Sequence, residues 1–297
     1  MTVKIDCHLH VFAKPSDEFP REVSASCPED REETAERLLG EMEANNIDQA
    51  ILTQMGGSEF EHHNYVRHCV DTYPDRFQGI GLIPGNCENP AEHMDRVAGD
   101  GQFIGFRLGS LGGPRDPLTP MDVRDYETYR IWEHAAERDY VMWLYLKHID
   151  IYAAAYLIEA FPQVRVVFNH LGVSPGSGTF SWDKYRRPHV TNPNMYFLMH
   201  SVYRLSRYEN VSMMFSGHYA FSDEEWPWRD FAQNAQWLVE AFRGRLMWAS
   251  DFPWIYVEPG YDKMVGLLKE LVPNVSDEDH ASIMGGAAKR ILRFADR

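Results

Sequence analysis

The sequence predicts an α/β fold, a (β/α)8 barrel that spans residues 1–297 as one domain. Three observations predict it. Eight short apolar runs alternate with segments of helical periodicity along the whole chain. Ionisable residues end six of these runs, and a barrel gathers its functional side chains at the carboxyl ends of its strands. The turn after the first run is not rich in glycine, which makes a doubly wound open sheet the second choice.

The eight apolar runs have the composition of buried strands. Most are rich in β-branched or aromatic residues and are bounded by Gly, Pro or Asn. In chain order, the predicted strands are residues 3–10, 48–54, 77–84, 103–109, 141–147, 164–170, 211–217 and 246–252.

Helical periodicity marks the segments between these strands. The first of them, 28–45, carries an apolar stripe, and Ser26 and Glu29 before it have the spacing of a capping box. The other predicted helices are residues 60–72, 90–98, 122–139, 151–161, 195–208, 228–242, 261–271 and 277–294.

Charge and cysteine content narrow the classes of partner and compartment. The formal net charge is −15, which disfavours nucleic acid and anionic lipid as partners but allows an acidic small molecule beside a local cluster of arginines. The four cysteines form no Cys-x-x-Cys pair, which is typical of reduced thiols. The chain enters a strand at once, and no apolar stretch approaches the roughly 18 residues of a membrane span. We therefore expect a cytoplasmic protein.

Two histidines one residue apart, His8 and His10, end the first predicted strand. Because side chains alternate along a strand, Asp6, His8 and His10 are expected on one face and Cys7 and Leu9 on the other. Two neutral imidazoles then converge on one point, as a divalent cation requires. The alternative interpretation is two unrelated polar residues where a strand ends.

His170 and Asp251 end the sixth and eighth predicted strands and complete a candidate metal site with His8 and His10. Three imidazoles and one carboxylate suit Zn²⁺, Mn²⁺ or Fe²⁺. Such an ion lowers the pKa of a bound water from 15.7 towards about 7. The alternatives are a buried histidine bonded to backbone at 170 and a turn-capping acid at 251.

These motifs together resemble the amidohydrolase superfamily, in its amidohydrolase-related branch. The resemblance rests on Asp-Cys-His-Leu-His at 6–10, Asn-His-Leu-Gly at 169–172, Trp-Ala-Ser-Asp-Phe-Pro at 248–253 and Gly-Gly-Ala-Ala-Lys-Arg at 285–290. It covers nearly the whole chain, since the gaps between the motifs also look like that branch. The branch contains decarboxylases, such as that of aminocarboxymuconate semialdehyde, lactonases, such as that of pyrone dicarboxylate, and hydratases, so the substrate is left open.

The resemblance implies roles for the four candidate ligands. His8 and His10 would bind the metal, His170 would be a third ligand or a substrate-facing acid, and Asp251 would ligate the ion, accept a proton from water, or both. The chain shows no pattern for a carbamylated lysine, because Lys147 is followed by His148 and Ile149. One divalent ion is therefore expected. Zinc is favoured and manganese is the alternative, although some lactonases of this branch work without a metal.

Further residues are candidates for contact with substrate. His218 follows the seventh predicted strand, and in related decarboxylases a histidine near this point faces the substrate; the alternative is a solvated loop histidine. Arg107 is a candidate clamp for a carboxylate, or else part of a structural ion pair. Lys147 and His148, at the end of the fifth predicted strand, are also expected to contact an acidic substrate.

Residues 172–193 form a connection longer than most in this fold class. Its glycines beside Trp182, Arg186 and Arg187 predict a substrate lid. The alternative is a surface loop or a contact between subunits of a homo-oligomer. The segment 221–228, with two tryptophans, is either a second wall of the site or a surface for packing.

The favoured function is a metal-dependent hydrolase of a small carboxylated substrate, a lactone or related ester, acting through a metal-activated water. The alternative is a metal-dependent, non-oxidative decarboxylase of an unsaturated or aromatic acid, with His218 as the proton donor. A binding protein without catalytic activity, on a decayed barrel, is a third hypothesis. All ligand-type positions are present, which argues against it.

Overall fold

Eight parallel strands form one sheet in which seven neighbouring pairs follow the order of the chain, which confirms the predicted barrel. The computed structural model describes residues 3–101, 103–113, 122–173, 178–193 and 195–294, without the side chains of 148, 149 and 195–199. The barrel strands are β1 (Ile5–Leu9), β2 (Gln49–Thr53), β3 (Phe77–Leu82), β4 (Phe103–Leu108), β5 (Val141–Leu144), β6 (Val166–Phe168), β9 (Val211–Phe215) and β10 (Leu246–Trp248). The remaining strands, β7 (Thr179–Trp182) and β8 (Pro188–Thr191), lie outside the barrel.

The first strand and the residues after the last strand close the barrel. The backbone N–H of Asp251 donates to the carbonyl of His8 at 3.0 Å, and the N–H of His10 donates to the carbonyl of Phe252 at 2.7 Å. Both bonds lie beyond the end of β10, at the carboxyl ends of the strands. The two segments that carry candidate ligands are therefore joined directly.

Helices alternate with the strands, as predicted. They are α1 (Ala35–Asn45), α2 (Asn64–Thr72), α3 (Pro90–Ala98), α4 (Tyr129–Arg138), α5 (His148–Ala160), α6 (Met195–Leu205), α7 (His218–Phe221), α8 (Ala232–Ala241), α9 (Tyr261–Leu271), α10 (Asp277–Ala281) and α11 (Ala287–Leu292). The predicted helix 277–294 is divided by a wider turn at Ser282–Gly286. None of the helices in the described ranges has the length and hydropathy of a membrane span.

The start of the first helix differs from its prediction. α1 begins after Thr34, whose hydroxyl accepts the N–H of Arg37 at 3.4 Å, so the capping box predicted at Ser26 and Glu29 is wrong. The preceding segment is irregular because Arg21 organises it instead. The Arg21 guanidinium donates to the backbone carbonyls of Ala13, Cys27, Pro28 and Arg31, among others. Two of these bonds engage the carbonyls of Pro28 and Arg31, which a helix would otherwise have used.

Two buried clusters lie on the two faces of the sheet. The larger one packs the outward-facing strand residues against the helices. The inner one fills the barrel and includes Ile5, Ile51, Ile80, Val167, Met214 and Met247. Ala287, Ala288 and Leu292 of α11 belong to the inner cluster. The last helix therefore closes the amino-terminal end of the barrel, and the opposite end is left for the site.

The connection after β6 contains a β-hairpin that the sequence analysis missed. β7 (Thr179–Trp182) and β8 (Pro188–Thr191) pair antiparallel, with Phe180 opposite Val190 and Trp182 opposite Pro188. β8 packs against α7 at the mouth of the barrel. Residues 174–177 of the predicted lid lie outside the described part of the chain. Closure of this connection over a substrate stays a prediction.

A substitution in β4 tests the tight pairing of the barrel strands. A Cβ atom on Gly105 would lie 2.2 Å from the carbonyl oxygen of Val141 on β5, so Gly105→Ala forces the strands apart. We expect it to lower the free energy of unfolding by about 2–3 kcal/mol, the usual cost of overpacking. Denaturant titration followed by circular dichroism measures this change.

Gly109→Ala is the matched control, because a Cβ atom there meets nothing within 4 Å. Its free energy of unfolding should equal that of the wild type or exceed it by about 0.4–1 kcal/mol. Equal stability of the two variants would contradict the packing argument.

Candidate active site and metal centre

Three imidazoles converge on one carboxylate at the mouth of the barrel, and the four side chains come from three strand ends. Asp251 Oδ1 lies 3.7 Å from His8 Nε2 and 3.8 Å from His10 Nε2, and Asp251 Oδ2 lies 3.8 Å from His170 Nδ1. One ligand atom each of His8, His170 and Asp251 lie within 4.8 Å of one another. All four residues are buried. The sequence-predicted metal ligands are therefore neighbours in space.

A bulge in β1 aims its two histidines at the site. The register against β2 shifts between Asp6 and Leu9, so one extra residue interrupts the alternation of side chains. The expectation that Asp6 shares a face with the histidines is therefore wrong, and Cys7 lies in the inner cluster. Asp6 turns outward and accepts the N–H of Ser250 at 2.9 Å and the hydroxyl of Tyr261 at 2.6 Å. Burial raises the pKa of Asp6 to about 6, against these donors.

The surroundings of His8 fix which ring nitrogen is free. Asn169 satisfies all its neighbours when its amide nitrogen donates to the carbonyl of Leu144 at 3.1 Å. Its amide oxygen then accepts His8 Nδ1–H at 3.0 Å and Trp143 Nε1–H at 3.1 Å. In this arrangement His8 Nε2 keeps its lone pair and directs it towards Asp251. Outer partners of this kind hold a metal-binding histidine in one tautomer.

His10 is oriented in the same way, whereas His170 turns its Nδ1 towards both Ser216 and Asp251. His10 Nδ1 lies 2.8 Å from the carbonyl oxygen of Thr53, which only accepts, so Nδ1 carries the proton and Nε2 the lone pair. His170 Nδ1 lies 3.0 Å from Ser216 Oγ. Burial, and then the Arg107 charge, lower the pKa of His10 to about 3 and that of His170 well below its usual range. Neutral imidazoles of this kind are metal ligands.

The backbone at two of these residues is unusual. His170 and Asp251 adopt positive φ angles of 48° and 62°, a region that side chains other than glycine seldom occupy. Gly217, with φ of 78°, makes room for the first of them, because a Cβ atom there would lie 2.8 Å from His170 Cβ. Strain held at ligand positions is typical of functional sites.

Asp251 has one satisfied and one unsatisfied oxygen. The hydroxyl of Tyr219 donates to Oδ2 at 2.7 Å, whereas Oδ1 is buried without a hydrogen-bond donor among the described residues. Burial raises the pKa of Asp251 to about 7, opposed by Tyr219 and by the charge of Arg107. A buried carboxylate oxygen that faces imidazole lone pairs needs a cation to be stable. The donor set therefore fits a divalent metal ion.

A cavity of about 240 Å³ opens above this cluster. Its floor is formed by His10, His170 and Asp251, with Arg107 and Tyr145 beside them. The Arg107 guanidinium lies 4.7 Å from the centre of the Tyr145 ring. No carboxylate of the described residues lies within 4 Å of this guanidinium, so the structural ion pair considered for Arg107 is absent there. Aromatic side chains line the mouth, namely Phe180, Trp182, Phe221 and Trp254.

The other residues predicted to contact substrate differ in their exposure and in their position relative to this cavity. Trp182 lines it, whereas Lys147 and Arg186 are exposed to solvent. Arg187 is buried in an ion pair with Asp183, at 2.7 Å. The side chain of His148 lies outside the described part of the structure. Contact of these residues with substrate stays a prediction.

His218 is enclosed by aromatic rings, so the alternative of a solvated loop histidine is wrong. The ring centres of Phe215, Trp228 and Phe231 lie within 6.2 Å of its own. Neither ring nitrogen has a hydrogen-bond partner among the described residues, and burial lowers the pKa of His218 to about 3. The imidazole is therefore neutral, and it is not part of the described cavity lining.

Sequence reasoning missed the residues that orient the predicted ligands. Asn169 directly precedes the candidate ligand His170, so its position in the sequence was one available signal. Tyr145 follows Trp143 by two residues in the predicted fifth strand, so the alternation of side chains along a strand was another. Tyr219, beside His218, carried no such signal. Its role depends on a short helix that the sequence did not predict.

Asn169 offers a direct test of the oriented ligand. In Asn169→Ala, the Nδ1–H of His8 loses its amide acceptor and keeps the Thr53 hydroxyl, at 3.1 Å, so zinc affinity should fall about 10–100-fold, as for other outer partners. Competition with a chromophoric chelator measures the affinity. The surface variant Asn45→Ala, which removes only a bond to the Glu41 carbonyl, should bind zinc like the wild type. Wild-type affinity in Asn169→Ala would refute the role of Asn169 in orienting His8.

Solved structures with the same fold include several enzymes. A probable 2-pyrone-4,6-dicarboxylic acid hydrolase from Acinetobacter baumannii, with citric acid bound, is 18% identical over 99% of this chain and all of its own, with a TM-score of 0.72. An amidohydrolase from Burkholderia multivorans, with bound zinc, is 17% identical over the same shares, with a TM-score of 0.75. At this level of identity the similarity shows the fold.

A third structure represents the decarboxylases. The dihydroxybenzoic acid decarboxylase from Polaromonas sp. JS666, with manganese and the inhibitor 2-nitroresorcinol, is 14% identical over all of this chain and 98% of its own, with a TM-score of 0.59. A search of curated proteins found no match.

The sequence itself matches the amidohydrolase family model over residues 5–294. This match confirms the resemblance drawn from the four motifs, and it includes every candidate ligand. Since it covers nearly the whole chain, the protein is an enzyme of the amidohydrolase family.

Proposed function

We propose that the protein is a metal-dependent hydrolase of a small carboxylated substrate, most simply a lactone or related ester. The observation that carries this proposal is the pairing of two groups in one cavity. Asp251 presents a buried, unpartnered oxygen there, and Arg107 presents a guanidinium without a carboxylate partner among the described residues. The first suits a proton acceptor and the second suits a substrate carboxylate. The similarity in fold to a dicarboxylic acid hydrolase supports this choice.

His8, His10, His170 and Asp251 would hold one divalent ion, with zinc favoured. Neutral imidazoles with one carboxylate suit zinc, and manganese is the alternative. Zinc in the Burkholderia structure and manganese in the Polaromonas structure support these two choices. When bound, the ion supplies Lewis-acid polarisation of the substrate carbonyl and acidification of water.

The protein's own groups perform the proton transfers. Asp251 Oδ1 accepts a proton from the attacking water, while the Tyr219 hydroxyl holds Oδ2 in place. The same carboxyl group then returns that proton to the alkoxide that leaves the carbonyl carbon. Arg107 meanwhile binds the substrate carboxylate through two parallel hydrogen bonds.

A non-oxidative decarboxylase is the second candidate. Gly217, directly before His218, lines the cavity, so a small movement of α7 would bring this imidazole towards a substrate. Hydrolysis is preferred because decarboxylation needs an acid that protonates carbon. His218 is neutral within its aromatic enclosure and lacks a hydrogen-bonded source of protons among the described residues.

Isotope labelling distinguishes the two reactions. With lactones and unsaturated carboxylic acids as probes, hydrolysis in H₂¹⁸O places the label in the product carboxyl group. Asp251→Asn should reduce kcat at least about 100-fold with little change in KM, because it removes the general base. Mass spectrometry of products and steady-state kinetics measure both effects.

The control for this variant is Asp100→Asn, an exposed change of the same type that should keep wild-type kinetics. Release of CO₂ with deuterium from D₂O on carbon would overturn hydrolysis and establish decarboxylation. Wild-type turnover by Asp251→Asn would exclude the role of this carboxylate as base.

The role of Arg107 is tested by a pair of substrates. Arg107→Met should raise KM for a carboxylated substrate about 10–100-fold, since hydrogen bonds between charged groups contribute about 1.5–3 kcal/mol. The methyl ester of the same carboxylate is the matched control, and its KM should be similar in both enzymes. An equal change for acid and ester would show that Arg107 does not bind the carboxylate.

A further inference from the structure

A buried arginine, Arg187, adds charged contacts to the packing that joins the β7–β8 hairpin to the barrel. The turn 183–187 is closed by Asp183, whose Oδ1 accepts the N–H groups of Tyr185 at 2.8 Å and Arg187 at 2.9 Å. Asp183 Oδ2 accepts Arg187 Nε at 2.7 Å. The guanidinium is thereby held in one direction by its own hairpin.

Beyond the hairpin, the same guanidinium contacts two other segments. It donates to the backbone carbonyl of Glu258, in the connection between β10 and α9. It also lies 5.2 Å from the centre of the Tyr219 ring, in α7, at the distance of a cation–π contact. Arg187 is only 9% exposed, so these contacts are shielded from water. Each electrostatic contact is therefore stronger than the same contact on a solvated surface.

Tyr219 carries this connection to the catalytic carboxylate. Its ring lines the cavity and is 4% exposed, and its hydroxyl donates to Asp251 Oδ2 at 2.7 Å. A guanidinium over the ring limits the rotation that would break this hydrogen bond. Arg187 does not belong to the described lining of the cavity, so it reaches the reacting atoms only through Tyr219.

We propose that Arg187 is a positioning residue that fastens the hairpin to the barrel and, through Tyr219, holds Asp251 in its reactive orientation. This inference rests on the proposed role of Asp251 as proton acceptor. It assigns Arg187 a different task from the substrate contact expected from sequence. The same hairpin supplies Phe180 and Trp182 to the cavity mouth. Arg187 therefore stabilises both this aromatic wall and the orientation of Asp251.

Hydrogen–deuterium exchange tests the fastening without any substrate. In Arg187→Met, amides of 179–191 and of α7 should exchange about fivefold faster or more, because local opening becomes easier. Asp183→Asn should act in the same direction by releasing the guanidinium. Lys184→Met, which removes an exposed charge from the same turn, is the matched control and should exchange like the wild type. Unchanged exchange in Arg187→Met would overturn the fastening.

A double-mutant cycle tests the action through Tyr219. With the first lactone or acid that the wild type turns over as probe, Arg187→Met and Tyr219→Phe should each lower kcat about tenfold, and the double variant should also lose about tenfold. Arg187→Lys, which keeps the charge but not the forked hydrogen bonds, should be intermediate. Multiplying effects in the double variant would overturn positioning through Tyr219, and a change in KM alone would indicate a substrate contact.

The two measurements separate this inference from the proposed chemistry. If the wild type hydrolyses none of the probes, the proposed function fails, and the exchange experiment still decides the fastening. If the wild type is active and Arg187→Met retains wild-type kcat, the positioning role fails while the hydrolase assignment stands.

Discussion

The closure of the barrel between its first and last strands is the constraint on which the site depends. Two backbone hydrogen bonds join His8 to Asp251 and His10 to Phe252, and the side chain of Asp6 adds a third bond to the N–H of Ser250. These bonds bring the first strand into contact with the segment that follows the last barrel strand. Without them, the histidines and the carboxylate would belong to separate strands with no fixed distance between them. Fold stability and ligand geometry are therefore set by the same few contacts.

Burial then determines the charge state of what the closure has assembled. It lowers the pKa of His10 to about 3 and raises the pKa of Asp251 to about 7, so desolvation opposes charge on both kinds of ligand. A divalent ion relieves this opposition, since it pairs with the carboxylate and accepts the lone pairs of the imidazoles. The physical cost of burying these groups is thus the origin of the affinity that we expect for the metal.

The sequence allowed the prediction of the eight strands and of the four candidate ligands, because apolar runs and the ionisable residues at their ends are local features. It did not reveal the bulge in β1, since an extra residue leaves no mark in composition and only pairing with β2 exposes it. The same holds for Asn169 and Tyr219, whose roles depend on side chains distant in sequence. The capping box at Ser26 failed because Arg21, five residues earlier, binds the backbone carbonyls of that segment.

The barrel and the hairpin contribute different features to the site. The barrel fixes the ligands through backbone bonds that tolerate little change, whereas β7 and β8 contribute a wall that is attached by side chains. Thr179–Trp182 is exposed along its whole length, and Phe180 stands at 45% exposure with its ring 5.4 Å from that of Trp182. An aromatic pair that is left exposed beside a charged floor is suited to cover the apolar part of an acidic molecule. We therefore expect the hairpin to contribute to substrate choice together with Arg107 of the barrel, and the proposed chemistry to depend on the barrel residues.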